Sequence, residues 1–105
     1  MKPSVQEIGR VTVSKQGHDK GRAFLVVGLV DDRYVLIADG ESRKLAKPKK
    51  KQVKHLLPQP HVAAEILGAI ESKAQTADSD IRKALQTYQL TVRTRLQDKE
   101  ANTFV

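Results

Sequence analysis

Two short stretches of this 105-residue chain gather side chains suited to holding anions. Between residues 43 and 56, RKLAKPKKKQVKHL sets Arg43, Lys44, Lys47, Lys49, Lys50, Lys51 and Lys54 beside His55, with no acid among them. Like charges at that density repel unless they spread into water or face anions. Pro48 fixes its own φ and biases Lys47 toward extended geometry, so residues 43–55 read as an extended strap. Such a strap can follow a phosphate backbone, each Lys acting as a point charge and Arg pairing bidentately. A solvated loop or a nuclear-import signal would share this composition. The second stretch, KQGHDKGR at 15–22, places Lys15, Lys20 and Arg22 around two glycines, with His18 in the same loop. Gly21 lets the backbone turn sharply or lie against a ligand with no Cβ in the way. The glycine spacing fits neither a P-loop nor a dinucleotide fingerprint.

The charge distribution extends this reading. The formal net charge is +7, yet residues 61–105 hold six Lys/Arg and six Asp/Glu, so the whole excess lies in the first sixty residues. A clustered basic excess is the footprint of a polyanion, nucleic acid first and an acidic membrane surface second. No amphipathic basic helix or lipid anchor accompanies the Lys run, which ranks a membrane partner last. The opening MKPSVQEIGR lacks the apolar core of a signal peptide, and the longest apolar run, AFLVVGLV at 23–30, is too short to cross a bilayer. The expectation is a soluble, cytoplasmic protein.

Chemistry beyond binding has little to stand on. Without Cys there is no disulfide framework, thiolate zinc site or cysteine nucleophile. His18, His55 and His61 are scattered, with no H-E-x-x-H pattern, so neither a metal nor a cofactor is expected and the chain does not read as an enzyme. Of the four aromatics, Phe24 and Tyr34 fall in expected core strands and Tyr88 on an expected helix stripe, leaving Phe104. A reader of single strands stacks successive bases on exposed rings. This chain has no such platform, which favours backbone and shape recognition of structured RNA.

The elements that would position these groups follow from periodicity. In IGRVTV, residues 8–13, alternation puts Val11 and Val13 on one face and Arg10 and Thr12 on the other. AFLVVGLV and RYVLIAD read as strands apolar on both faces, separated by a turn at Asp31-Asp32. Asp39-Gly40 signals a tight hairpin turn. Short strands and tight turns suggest a small antiparallel barrel. After Pro58 and Pro60, HVAAEILGAIESKAQ spaces Val62, Ile66 and Ile70 by four, predicting a helix with Pro60 in its first turn. Asp78 or Ser79 can cap a second helix along Ile81, Ala84, Leu85, Tyr88, Val92 and Leu96, although LTVRTRL also fits a terminal strand. The expected fold is mainly β with α: a barrel with its basic strap over 1–58, then a helical appendage of about two helices over 59–105.

The residues also resemble a known unit. Ile8-Gly9-Arg10-Val11, Gly17-His18-Asp19-Lys20-Gly21, Tyr34-Val35-Leu36-Ile37 with Asp39-Gly40, and Lys54-His55-Leu56 together look like a KOW motif. The whole of 8–56 is similar to KOW-containing proteins of the large ribosomal subunit of archaea and eukaryotes, the fourteen-e type, and still more to their bacterial relatives. Gln52 stands where that pattern usually has Asn, and the C-terminal helices lie outside the resemblance. It implies an SH3-like five-stranded barrel with Gly21 as its central glycine. It also implies that the 15–22 loop and the 43–55 strap contact RNA, with ribosomal RNA and the ribosome as partners. The alternative is a transcription-elongation module that binds polymerase or nascent RNA. The apolar helix stripes pack on the barrel or on each other, or serve a homodimer or protein partner through Val62, Ile66, Ile70, Leu85 and Tyr88.

Overall fold

The computed structural model describes residues 4–89. Five strands, β1 (Arg10–Ser14), β2 (Ala23–Leu29), β3 (Tyr34–Ala38), β4 (Lys49–Gln52) and β5 (Leu56–Val62), form one antiparallel sheet in the order β4-β3-β2-β1-β5. Two helices follow: α1 (Leu67–Ser72), entered through a 3-10 turn at Ala64–Ile66, and α2, helical over 77–89. The architecture is mainly β with α.

The first three strands fall where alternation and apolar runs put them. The double-sided apolarity of β2 and β3 has a simple cause, since both faces of the sheet are covered. Val11, Leu25 and Ala38 on one face pack with Ala63, Ile70, Ile81, Ala84 and Leu85. Phe24, Val26, Val35, Ile37 and Leu56 on the other form a second cluster with Val5, to which neither helix contributes.

That second face is closed by curvature. In a flat sheet the two edge strands would lie about 19 Å apart, four spacings of about 4.8 Å. Only a 3-10 turn, Val53–His55, separates β4 from β5, and three such residues advance about 6 Å. The sheet therefore curls until its edges approach. Among the described residues no ladder joins them, so the curl stays open.

Several expectations are corrected. Residues 43–55 are not an extended strap: Lys44–Lys47 make a turn, Lys49–Gln52 pair with β3, and Val53–His55 wind into the 3-10 turn. Asp39-Gly40 is no two-residue hairpin but the start of the longer link to β4, folded back by Asp39 and Gly40 N–H groups donating to the Arg43 carbonyl. Gly40 has φ +77, and a Cβ there would sit 2.1 Å from the Asp78 carbonyl oxygen, so this glycine lets α2 dock. The helix predicted from Pro60 is instead strand as far as Val62, and the junction expected after residue 58 falls inside β5. Pro58 and Pro60 fit there because β5 is, among the described residues, an edge strand, with one side of its backbone needing no ladder partner. Between Arg10 and Thr12 the β1–β5 register shifts, and the buried Arg10 fills the irregularity by donating to the carbonyls of Gln59 and Ser4.

The second helix starts at 77, after Thr76, whose hydroxyl lies 3.1 Å from Asp80 Oδ2. Asp78 therefore does not cap it. Its carboxylate instead accepts the Leu45 N–H at 2.8 Å, tying the basic segment to α2. Of the stripe offered for partners, Ile70 and Leu85 are buried in the first cluster, with Ile66 and Tyr88 packed against it. These residues serve the chain's own core. Val92, Leu96 and the whole LTVRTRL segment, residues 90–96, lie outside the described residues.

Candidate nucleic-acid interface

Period-two geometry on β4 sends its cations in two directions. Lys49 and Lys51 stand opposite Ile37 and Val35 and so share the enclosed face. Their stems border that apolar cluster while their ammonium groups reach the 15–22 loop. Lys49 Nζ donates to Asp19 Oδ2 at 2.8 Å, and Lys51 Nζ to the Gln16 carbonyl at 3.2 Å. Lys50 and Gln52 take the other side, with Lys50 Nζ 4.6 Å from the Tyr34 ring centroid and Gln52 Nε2 3.2 Å from the Tyr34 hydroxyl. The Lys15 N–H donates to the His55 carbonyl at 2.8 Å. The glycine-bearing loop and the Lys-rich strand thus lie side by side.

Gly21 turns that loop with φ +86, and its N–H donates to the Ser14 carbonyl at 2.8 Å. No atom lies within 4 Å of where its Cβ would stand. Glycine is required here by backbone conformation, not by crowding.

The expected cations divide into two groups. Arg22 Nη2 is 2.9 Å from Asp39 Oδ2 and donates to Ser42 Oγ at 3.0 Å, while Nη1 lies 3.7 Å from Asp19 Oδ1. Arg22 and Lys49 are therefore paired with the protein's own carboxylates. Lys15, His18, Lys20, Arg43, Lys44, Lys47 and Lys54 are exposed, and among the described residues their side chains make no hydrogen bond or ion pair. Lys50 and Lys51 have the contacts above, and His55 is half-buried. Asp19 is nearly buried and held below the usual carboxylate range by the Lys49 hydrogen bond, against the opposing effect of burial, with help from the Lys49, Arg22 and Arg43 charges. Burial acts most strongly on Asp39 and pushes it up. The Arg43 and Glu41 N–H donors, the Ser42 hydroxyl and Arg22 together outweigh that and leave it lowered. Asp19 ties the loop to β4 through Lys49, and Asp39 ties Arg22 to the link that follows β3.

Two residues belong here that composition did not single out. The Val53 N–H donates to the Arg33 carbonyl at 2.8 Å, which brings Arg33 and Tyr34 to the end of β4. Tyr34, expected in the core, is only half-buried, whereas Phe24 is fully buried. The one local signal was the Asp31-Asp32 turn before them, where Asp31 Oδ1 accepts the Arg33 and Tyr34 N–H groups. Among the described residues no three His, Asp or Glu side chains are grouped to hold a metal ion, and no helix is long and apolar enough to cross a membrane.

Large ribosomal subunit protein eL14 of Pyrobaculum calidifontis is 30% identical over 82 residues, covering 78% of this chain and 73% of that protein. The chain belongs to the eL14 family. The eL14 protein of Staphylothermus marinus is 29% identical over 85 residues, 81% of each chain. That of Desulfurococcus amylolyticus is 38% identical over 52 residues, 50% of this chain, which there spans about half (54%) of its relative. No protein-family model matches the chain. An alignment of 82 residues must take in part of the sequence beyond residue 58, so the family likeness, placed within 8–56 on motifs, reaches the C-terminal part as well.

Proposed function

We propose that this eL14-family protein docks on structured RNA, ribosomal RNA of the large subunit, through phosphate contacts made by the 15–22 loop and the β4 edge. The observation that carries the reading is the convergence of those two elements through the Lys51–Gln16 and Lys15–His55 hydrogen bonds, with exposed cations on both. The relatives' name, large ribosomal subunit protein, supports a place on or beside the ribosome and hence in the cytoplasm. The curled five-strand sheet, with a 3-10 turn linking its edges, supports reading residues 8–56 as an SH3-like KOW unit. The mechanism is charge neutralisation with counterion release, and the glycine-bearing loop supplies the shape fit.

Lys15, His18, Lys20, Arg43, Lys44, Lys47, Lys50, Lys51 and Lys54 are the groups offered to phosphate, with Gly21 and His55 shaping the surface. Arg22 and Lys49 act chiefly by bracing it. If about five phosphates are neutralised, log affinity falls with log salt at a slope of roughly −4. Titration of large-subunit RNA fragments across salt concentrations tests this, and a nearly flat dependence rejects it. Cosedimentation with large subunits, set against copurification with RNA polymerase, separates the ribosomal reading from the transcription-elongation one.

A further inference from the structure

We propose that the cavity at the end of β4 receives a single unpaired RNA base, stacked on Tyr34. The inference rests on the RNA-docking reading and adds a base-binding site to it. The cavity, of about 470 Å³, is lined by Asp32, Arg33, Tyr34, Gln52, Val53 and Lys54. It falls within the range of roughly 300–1,000 Å³ usual for small-molecule pockets.

Three observations point to a base rather than another phosphate. The first is the ring, which is held in place on several sides. Gln52 holds its hydroxyl, Lys50 lies 4.6 Å from its centroid, and Asp31 anchors the backbone N–H of Tyr34 at 2.9 Å. A fixed aromatic face stacks a base without paying to order itself. The second is the acid in the lining. Asp32 is exposed and, among the described residues, its carboxylate has no partner. A carboxylate repels phosphate but accepts from the N–H groups on a base edge. Arg33 and Gln52 share the lining and are of types that can donate to and accept from a base edge, and the Gln52 amide nitrogen already serves Tyr34. The third is position. Lys54, in the 3-10 turn, lines the cavity, and Lys50, on β4, stands over the Tyr34 ring, so two cations are at hand for the phosphates on either side of a splayed nucleotide. One ring accommodates one base, consistent with a structured RNA offering a single bulged or looped nucleotide.

The test uses the full chain and a hairpin RNA with one bulged nucleotide, each of the four bases in turn, beside the same hairpin with an abasic bulge. The wild-type protein should bind at least one base-bearing bulge roughly tenfold more tightly than the abasic RNA. Tyr34→Ala should erase that preference and retain the abasic affinity, and Tyr34→Phe should keep the preference. Equal affinity of the wild-type protein for base-bearing and abasic hairpins, with the steep salt dependence intact, overturns the pocket and leaves the docking reading standing. Failure to bind any of these RNAs, or large-subunit RNA fragments, overturns both. A preference unchanged in Tyr34→Ala also overturns it, by placing the base elsewhere.

Discussion

Among the described residues β4 and β5 both leave one side of the backbone without a ladder partner, and unpaired edges invite association with other strands. β5 carries Pro58 and Pro60, which lack the N–H an incoming strand would use. β4 carries Lys49, Lys50 and Lys51, which repel a second copy of themselves. Proline only closes an edge, whereas lysine closes it against other protein strands and leaves it open to phosphate. The chain continues from β5 into α1 and α2, which cover one sheet face, while β4 is braced by the Gly-bearing loop. One side of the molecule is thus built for packing and the other for charge.

If the two sides are separable, damage to one should leave the other's property intact. Ile81, fully buried between α2 and the sheet, should give the largest effect. Ile81→Ala is expected to cost about 2–5 kcal/mol and lower the melting temperature by more than ~10 °C. Below that transition the salt slope of RNA binding should be unchanged, and a shallower slope would merge the two regions. Next comes the lysine edge. Replacing Lys49, Lys50 and Lys51 by Ala should weaken RNA binding about a hundredfold at about 0.1 M salt and move the slope from roughly −4 toward −2. Thermal melting should shift far less than for Ile81→Ala, and all RNAs should lose affinity alike, since phosphate contacts carry little sequence information.

A smaller effect is expected from the two carboxylates that brace the loop, Asp19 against Lys49 and Asp39 against Arg22. Asp19 and Asp39 both lie below the ordinary value of 3.8 in the folded protein. Between the folded and unfolded values the unfolded chain binds more protons, so the stability they contribute is full above 3.8 and is lost as pH falls through the folded values. Melting followed from pH 7 to pH 2 should show that loss below about pH 4. Asp39→Asn should flatten part of the decline, and an unchanged profile would remove Asp39 from the brace. The smallest effect belongs to β5. Pro58→Val with Pro60→Val should alter monomer stability by only about 0.5 kcal/mol. It should raise self-association in light scattering at high concentration, and an unchanged monomer would mean that something other than proline guards that edge.

Much of the proposed interface could be read from composition, because charge density and glycine placement are local properties. Lys15, Lys20, Arg43, Lys44, Lys47 and Lys54 are exposed cations where the sequence put them. Arg22 and Lys49 were not separable from them by type. The carboxylates they hydrogen-bond lie 17 and 30 residues away along the chain, and only folding brings them within reach. Tyr34 was misplaced for a related reason. A strand-forming aromatic among apolar neighbours reads as core, and only its pairing opposite Gln52 at the sheet's edge leaves it half-exposed.

The amino-acid sequence alone determined the first three strands, the asymmetry of charge and the turning loop at 15–22, since alternation, composition and glycine act over a few residues. The tertiary structure decided the fate of residues 43–62. A Lys run and a Pro-containing run are poor strands in isolation, and each becomes one when a neighbouring strand presents an edge to pair with. That choice depends on hydrogen bonds to residues far away in the chain, which no local pattern encodes.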